Sequence, residues 1–243
     1  MSEAELSFDF PGGGHALFTT RTDGNLSSVG GEDAEYGLQA RERLRERLDL
    51  RRLLRGYQVH GITVQRVRDD PAGDTGIQTD TEPPDTEAQP EIEADGQATA
   101  LRGAGAMVLT ADCLPVALGC AGAVAAVHAG WRGLAAGVIE EGVRAVRELG
   151  DADQIIAVIG PGAGPCCYEV GEEVHTAFGG AHGIGSPPSR RIDLKAIARD
   201  RLLAAGVCEV RDVAACTICD ERFFSYRREG ARAGRQGGVA WLS

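Results

Sequence analysis

Residues 123–150, AVAAVHAGWRGLAAGVIEEGVRAVRELG, change period partway along. Ala123 to Ala129 make a near-continuous run of small and β-branched residues, the pattern of a strand buried on both faces. From Gly133 onward, Ala135, Val138, Ile139, Val143 and Val146 recur at helical spacing. Gly150 supplies a stop, so a helix is predicted over 133–150. A histidine, a tryptophan and an arginine (His128, Trp131 and Arg132) stand where the buried strand hands over to that helix.

Working outward, GAMVLTADC (105–113), PVALGC (115–120) and IIAVIG (155–160) read as further buried strands. Residues 171–179 predict a short helix, 179–189 a loop, and 193–207 a helix capped by Asp193. VAACTIC (213–219) and GGVAWL (237–242) read as closing strands. On the N-terminal side, HALFTTR (15–21) predicts a strand leading to a turn at Asp23-Gly24. Residues 34–49 predict a helix with Leu38, Leu44 and Leu48 inward, and QVHGITVQRV (58–67) alternates like a strand on both sides of His60-Gly61. The stretch 69–95 is rich in Asp, Glu, Pro, Thr and Gly and is expected to be a mobile surface loop. There is no internal repeat. Intermixed strands and helices with Gly-rich connections predict a compact α/β or α+β domain.

The 243 residues are 43% apolar and 25% charged, with a net charge of -11. Such a chain can bury a sizeable core. Its acidity argues against nucleic acid or an anionic membrane as the main partner. No signal-peptide pattern opens the chain and no apolar run reaches the ~20 residues of a bilayer span. With seven cysteines, an odd number, the expectation is a cytoplasmic protein with reduced thiols. Lys195 is the sole lysine, so abundant arginine is a general property of this chain and marks no one site.

Three residues stand at the ends of predicted strands: His60, Cys113 and His128. Imidazole nitrogen and thiolate sulfur suit zinc, and two His with one Cys would make an open, three-ligand site. Their long separations carry no local signature, and a core role fits each as well. Asp112 could orient a ligand, carry a proton or serve only in a turn. Arg132 at a helix start suits an anion or a surface ion pair, and Trp131 a base or the core. Cys166 and Cys167 are neighbours and unlike a normal disulfide pair. CTIC (216–219) has C-x-x-C spacing without a second such pair and reads as structural.

Taken together, QVHG, TADCLPV, VHAGWRGLAAGV, IGPGAGPCCYEVGEEV and CTICDERFFSYRREG resemble the laccase-domain family of purine nucleoside phosphorylases, also known as polyphenol or multicopper oxidases. The resemblance runs from about residue 15 to the C-terminus. It implies a single α/β domain over 1–243, with mixed β-sheets packed between helices. It implies zinc held by His60, Cys113 and His128, a donor set that copper would also fit. The implied activities are phosphorolysis of adenosine, inosine, guanosine and methylthioadenosine, and deamination of adenosine. Phosphate is then expected near Arg132 and Arg21, with Gln58 and Tyr168 beside substrate. Asp112 is the expected acid–base carboxylate, with Glu169 second. The sequence departs from the family pattern in a compressed TTRTDGNLSSVGG segment and in Ala40-Arg41-Glu42, where Asn-Arg-Arg is usual.

Multicopper oxidation needs several coppers, held mostly by histidine, and this chain has five histidines in all. Copper oxidase is therefore the least favoured activity. Two other readings remain. Cys113 could be a nucleophile in an amide hydrolase, with His60 or His128 as base. Or the chain could be a peptidoglycan-editing accessory protein.

Overall fold

The computed structural model describes residues 6–68, 92–151, 153–179, 183–184 and 190–243. Its strands are β1 (Ser7–Phe10), β2 (Gly14–Phe18), β3 (Arg52–Leu54), β4 (Val64–Val67), β5 (Gly96–Thr99), β6 (Ala104–Thr110), β7 (Leu114–Cys120), β8 (Ala123–Ala129), β9 (Ile156–Ile159), β10 (Gly183–Ile184), β11 (Arg191–Ile192), β12 (Glu209–Asp212) and β13 (Gln236–Leu242). Its helices are α1 (Gly37–Arg47), α2 (Trp131–Ala136), α3 (Val138–Leu149), α4 (Glu172–Ala177), α5 (Leu194–Ala204) and α6 (Tyr226–Glu229).

Two mixed sheets form, ordered β1-β2-β13-β6-β3 and β12-β9-β7-β8-β5-β4. They stack face to face through small side chains, with Ala106 and Val108 of β6 against Ala126 of β8. Nearby, Phe10, Ala16 and Phe18 meet Ala117, Val124 and Val158. The alanines and glycines of these strands are what allow the close stacking: a Cβ at Gly119 would lie 2.3 Å from the Phe10 ring, and one at Gly160 2.4 Å from the Phe18 ring.

The outer face of the first sheet packs Leu17, Met107 and Val239 against Ala40 and Leu44 of α1. The outer face of the second packs Val116, Leu118 and Val127 against Ile139, Val143 and Val146 of α3 and Ile197 and Leu202 of α5. The result is an α/β domain with mixed sheets between helices, as the resemblance implied. Among the described residues, no helix is long and apolar enough to cross a membrane.

Several local expectations need correction. The helix predicted over 133–150 is two helices, α2 and α3, broken at Gly137 with φ +107°. A helix cannot pass through that left-handed residue, and the break turns α2 towards the 60–61 turn. Residues 58–63 are irregular rather than strand, because the chain reverses at His60, φ +60°. HALFTTR keeps its strand only to Phe18, and Arg21–Asp23 is a 3₁₀ turn capped by Thr20. Residues 213–219 are not a strand; β12 ends at Asp212, and Cys216 makes one isolated bridge to Gly162. In α1, Leu38 faces out, and Ala40, Arg41 and Leu44 face in. Of the loop expected at 69–95, residues 69–91 lie outside the described residues, as do 180–182 and 185–189 of the loop at 179–189. The end of the acidic stretch is not surface loop, for Asp95 is fully buried.

Candidate metal centre and its cavity

The order of residues in VHAGWRG follows from what approaches them. His128 is the penultimate residue of β8 and is buried. A Cβ on Gly130 would lie 2.8 Å from Cδ2 of His60 and 3.0 Å from Sγ of Cys113, so only glycine leaves room for both. A Cβ on Gly133 would lie 2.7 Å from the Gly61 carbonyl oxygen, so glycine there lets α2 close onto the His60 turn. Trp131 packs against the helix-side core.

These close approaches bring His60, Cys113 and His128 together, their ligand atoms within 4.8 Å of one another. Cys113 Sγ is 3.9 Å from His60 Nε2. Around one tetrahedral zinc the N···S edge is about 3.5 Å, from Zn–N of ~2.0 Å and Zn–S of ~2.3 Å. The donor set and spacing therefore fit a metal ion with an open fourth position.

Asp95 organises this centre. Its carboxylate accepts from the backbone N–H groups of Val59 (3.1 Å), His60 (2.9 Å) and Gly61 (2.6 Å). It also pairs with His128 Nδ1 at 2.7 Å. One buried carboxylate thus fixes the turn that carries one histidine and the ring of the other, leaving His128 Nε2 for a metal. Burial raises the Cys113 thiol, but the facing His128 and His60 outweigh it and pull the thiol down to about 6. Burial lowers His128, and Cys113 with Asp95 outweighs that and lifts it to about 9.

Sequence reading missed Asp95. Its only local signal was an Asp-Gly pair at the end of a polar stretch, which reads as a turn. Its partners lie 33 to 36 residues away along the chain.

The three ligands border a cavity of about 440 Å³. Its walls include Tyr57, Tyr168 and Tyr226, the amide of Gln58, and Arg55, Arg227 and Arg235. Gln58 exchanges two hydrogen bonds with the Leu109 backbone, both 2.8 Å, and so extends the end of β6. Tyr168 is buried, and desolvation pushes its hydroxyl up to about 12; the Arg227 guanidinium lies 4.9 Å from its ring centre.

Asp112 also lines the cavity, at φ +95°. Both carboxylate oxygens already accept, from Thr217 Oγ1 at 2.6 Å and from the Arg227 N–H at 2.7 Å.

Three expected residues stand outside these walls. Arg21 donates to Glu229 and the Phe223 carbonyl and lies over the Phe224 ring. Arg132 is exposed, its guanidinium 4.3 Å from the Trp131 ring centre. Glu169 borders a separate surface hollow with Glu172, His175 and Arg190. Sequence neighbours do not decide it: Glu169 is next to Tyr168, which does line the cavity, and Arg132 is four residues after His128.

The model of a family described as multi-copper polyphenol oxidoreductase laccase matches residues 15–243. A purine nucleoside phosphorylase of Xylella fastidiosa is 39% identical over 96% of this chain and 89% of its own. One of Pseudomonas aeruginosa is 37% identical over 93% of each. Among solved structures, a Neisseria meningitidis protein superposes with a TM-score of 0.80 at 30% identity, covering 98% of both chains. YlmD from Geobacillus stearothermophilus superposes at 0.78 and 31% identity, over 95% of this chain and 92% of that one. With its two stacked mixed sheets and its His/Cys/His centre, the chain belongs to the laccase-domain, or multi-copper polyphenol oxidoreductase, family.

Proposed function

We propose that this chain is a zinc-dependent purine nucleoside phosphorylase acting on adenosine, inosine, guanosine and methylthioadenosine, with adenosine deaminase activity. The observation that carries the proposal is a single cavity that joins the His60/Cys113/His128 centre to aromatic rings and arginines. The names of the relatives point the same way. When bound, zinc supplies a Lewis acid at the cavity floor.

The chain's own residues do the rest. Exposed Tyr57 and Tyr226 offer faces on which a purine stacks. Arg227, Arg235 and Arg55 bring positive charge to the same cavity and serve the phosphate; Arg21 and Arg132 are outside it. In phosphorolysis a phosphate oxygen bonds to C1′ of the ribose as the C1′–N9 bond breaks, and the purine leaves with the electron pair and takes up a proton. Arginines placed on the incoming phosphate orient it for that attack. Tyr168 keeps its proton at neutral pH, so its hydroxyl can donate. For deamination the acid–base task falls to Asp112, the only carboxylate among the described residues lining this cavity. In phosphorolysis Asp112 is a positioning residue: it holds the Arg227 N–H and so sets where α6 presents that arginine.

A multicopper centre does not suit these residues, since two of the five histidines join the cluster. One observation does favour a second reading. Asp95, His128 and Cys113 stand in the order orienter, base and thiol, as in a cysteine hydrolase.

The test is release of hypoxanthine from inosine by protein purified without a metal-affinity tag. Phosphate-dependent release that is lost on chelation and in His128→Ala supports the phosphorylase. No hypoxanthine release, together with cleavage of an amide substrate that ignores chelator and is abolished by iodoacetamide, turns the reading to the cysteine hydrolase.

A further inference from the structure

Five of the seven cysteines lie in two clusters. Cys113 belongs to the centre already described, Cys120 is buried in the core, and Cys208 is an isolated surface thiol. The remaining four come from two segments far apart in sequence. Cys166 and Cys167 lie in the Gly/Pro loop after β9, and Cys216 and Cys219 follow β12. The parallel pairing of β9 and β12 puts the two segments side by side. It continues as a bridge between Gly162 and Cys216, with the Thr217 N–H donating to the Gly162 carbonyl at 3.0 Å.

All four sulfurs then fall within 4.8 Å of one another. Sγ of Cys219 is 3.4 Å from that of Cys166 and 2.9 Å from that of Cys167. These distances exceed the ~2.05 Å of a disulfide bond. Both are shorter than the ~3.8 Å sulfur–sulfur edge of a tetrahedron with Zn–S of ~2.3 Å, so the sulfurs are gathered at least as closely as four zinc ligands are. Backbone N–H groups also point at one of the sulfurs. Gly164 donates to Cys216 Sγ at 3.2 Å, and the N–H groups of Ile218 and Cys219 face the same atom from within the C-x-x-C turn. That arrangement holds a thiolate in place as a ligand's outer partners do. A disulfide would join two of the four sulfurs and leave the other two crowded against it.

We propose that Cys166, Cys167, Cys216 and Cys219 form a second metal site, a closed tetrathiolate zinc centre. Four protein ligands leave no open position, so this zinc is structural. It would staple the β9 loop, which carries Tyr168, to the segment whose Thr217 hydroxyl holds Asp112 and whose carbonyls at 217 and 218 receive the Arg228 guanidinium. It thereby fixes one wall of the cavity whatever that cavity binds.

Untagged protein, incubated with zinc chloride under reducing conditions and then desalted, is analysed for metal per chain and by zinc X-ray absorption. The expected result is two zincs per chain in wild type. His128→Ala combined with Cys113→Ala should retain one zinc, with four sulfur neighbours at ~2.3 Å. Cys216→Ser with Cys219→Ser should also retain one, with a mixed nitrogen and sulfur shell. If either double variant fails to fold, the wild-type count and the other variant decide. One zinc per wild-type chain in a mixed nitrogen and sulfur shell overturns the proposal. So does a His128/Cys113 variant without metal, iron in place of zinc at the four sulfurs, or a disulfide among them in the reduced preparation.

Discussion

Asp95→Asn removes a charge from the metal centre without changing side-chain shape, and its consequences follow from four hydrogen bonds. The carboxylate accepts from the N–H groups of Val59, His60 and Gly61 and pairs with His128 Nδ1, at 2.6 to 3.1 Å. Oδ1 serves His60 and His128, and Oδ2 serves Val59 and Gly61. An amide has one accepting oxygen, so either pair of donors must face its NH₂. Each buried donor left unpaired costs about 1–3 kcal/mol. Val59 and His60 lie at the surface, where water replaces part of the loss. The net destabilisation is therefore about 2–4 kcal/mol, near the lower part of the sum over two donors. In a chain of this size that lowers the melting temperature by roughly 5–15 °C. Loss of an outer-shell partner of a metal-binding histidine weakens metal affinity by about 10–100-fold. Urea unfolding of metal-free protein reads the first quantity, and zinc competition against a chromophoric chelator reads the second. Zinc affinity within about threefold of wild type would refute the claim that Asp95 positions the ligands, whatever happened to stability.

Other outcomes are as specific. Gly119→Ala drives a methyl into the Phe10 ring and should cost about 1–3 kcal/mol, while Gly30→Ala, with open space around it, should leave the melting temperature unchanged. Arg227→Ala should raise KM for phosphate by at least tenfold, and Arg132→Ala should alter it less than twofold, about 1.4 kcal/mol separating a tenfold change; equal effects would remove Arg227 from the phosphate path. Burial raises the Glu229 carboxyl, but Arg21 and Arg228 outweigh it and hold it below its ordinary value of 4.5. Its stabilising contribution is present above that ordinary value and is lost as pH falls through the lower folded one, so wild type should lose more melting temperature between pH 6 and about pH 3 than Glu229→Gln does. Parallel acid limbs in the two proteins would show that the Arg21–Glu229–Arg228 cluster contributes nothing.

The strands β6, β7 and β8 were legible because each is a buried run whose neighbours are also strands, so local pattern and tertiary setting agree. The helix over 133–150 was legible as helix but not as two helices. Gly137 carried the only local mark of the break, and the approach of Gly133 to the Gly61 carbonyl on the α2 side of it is not displayed by sequence. QVHGITVQRV alternates as a strand would, yet Asp95 captures three successive N–H groups and bends it into a turn. Leu38 was misplaced because Gly37 sets the phase of α1: a Cβ there would meet the Ser27 carbonyl oxygen at 2.3 Å, which holds that face of the helix inward. CTIC looked unpartnered because its partners, Cys166 and Cys167, lie some fifty positions earlier and meet it only through β9 and β12. In each case local chemistry was readable, and long-range pairing was not.

The proposed function turns on a metal held by His60, Cys113 and His128 beside a purine-binding cavity. Anomalous diffraction at the zinc edge, from crystals grown with zinc and soaked with inosine and phosphate, tests it directly. A zinc peak ringed by those three side chains, with purine density against the cavity tyrosines and phosphate density by Arg227, is the expected result. The account is contradicted if there is no metal among the three side chains, or if the nucleoside is bound elsewhere, such as in the hollow beside Arg21.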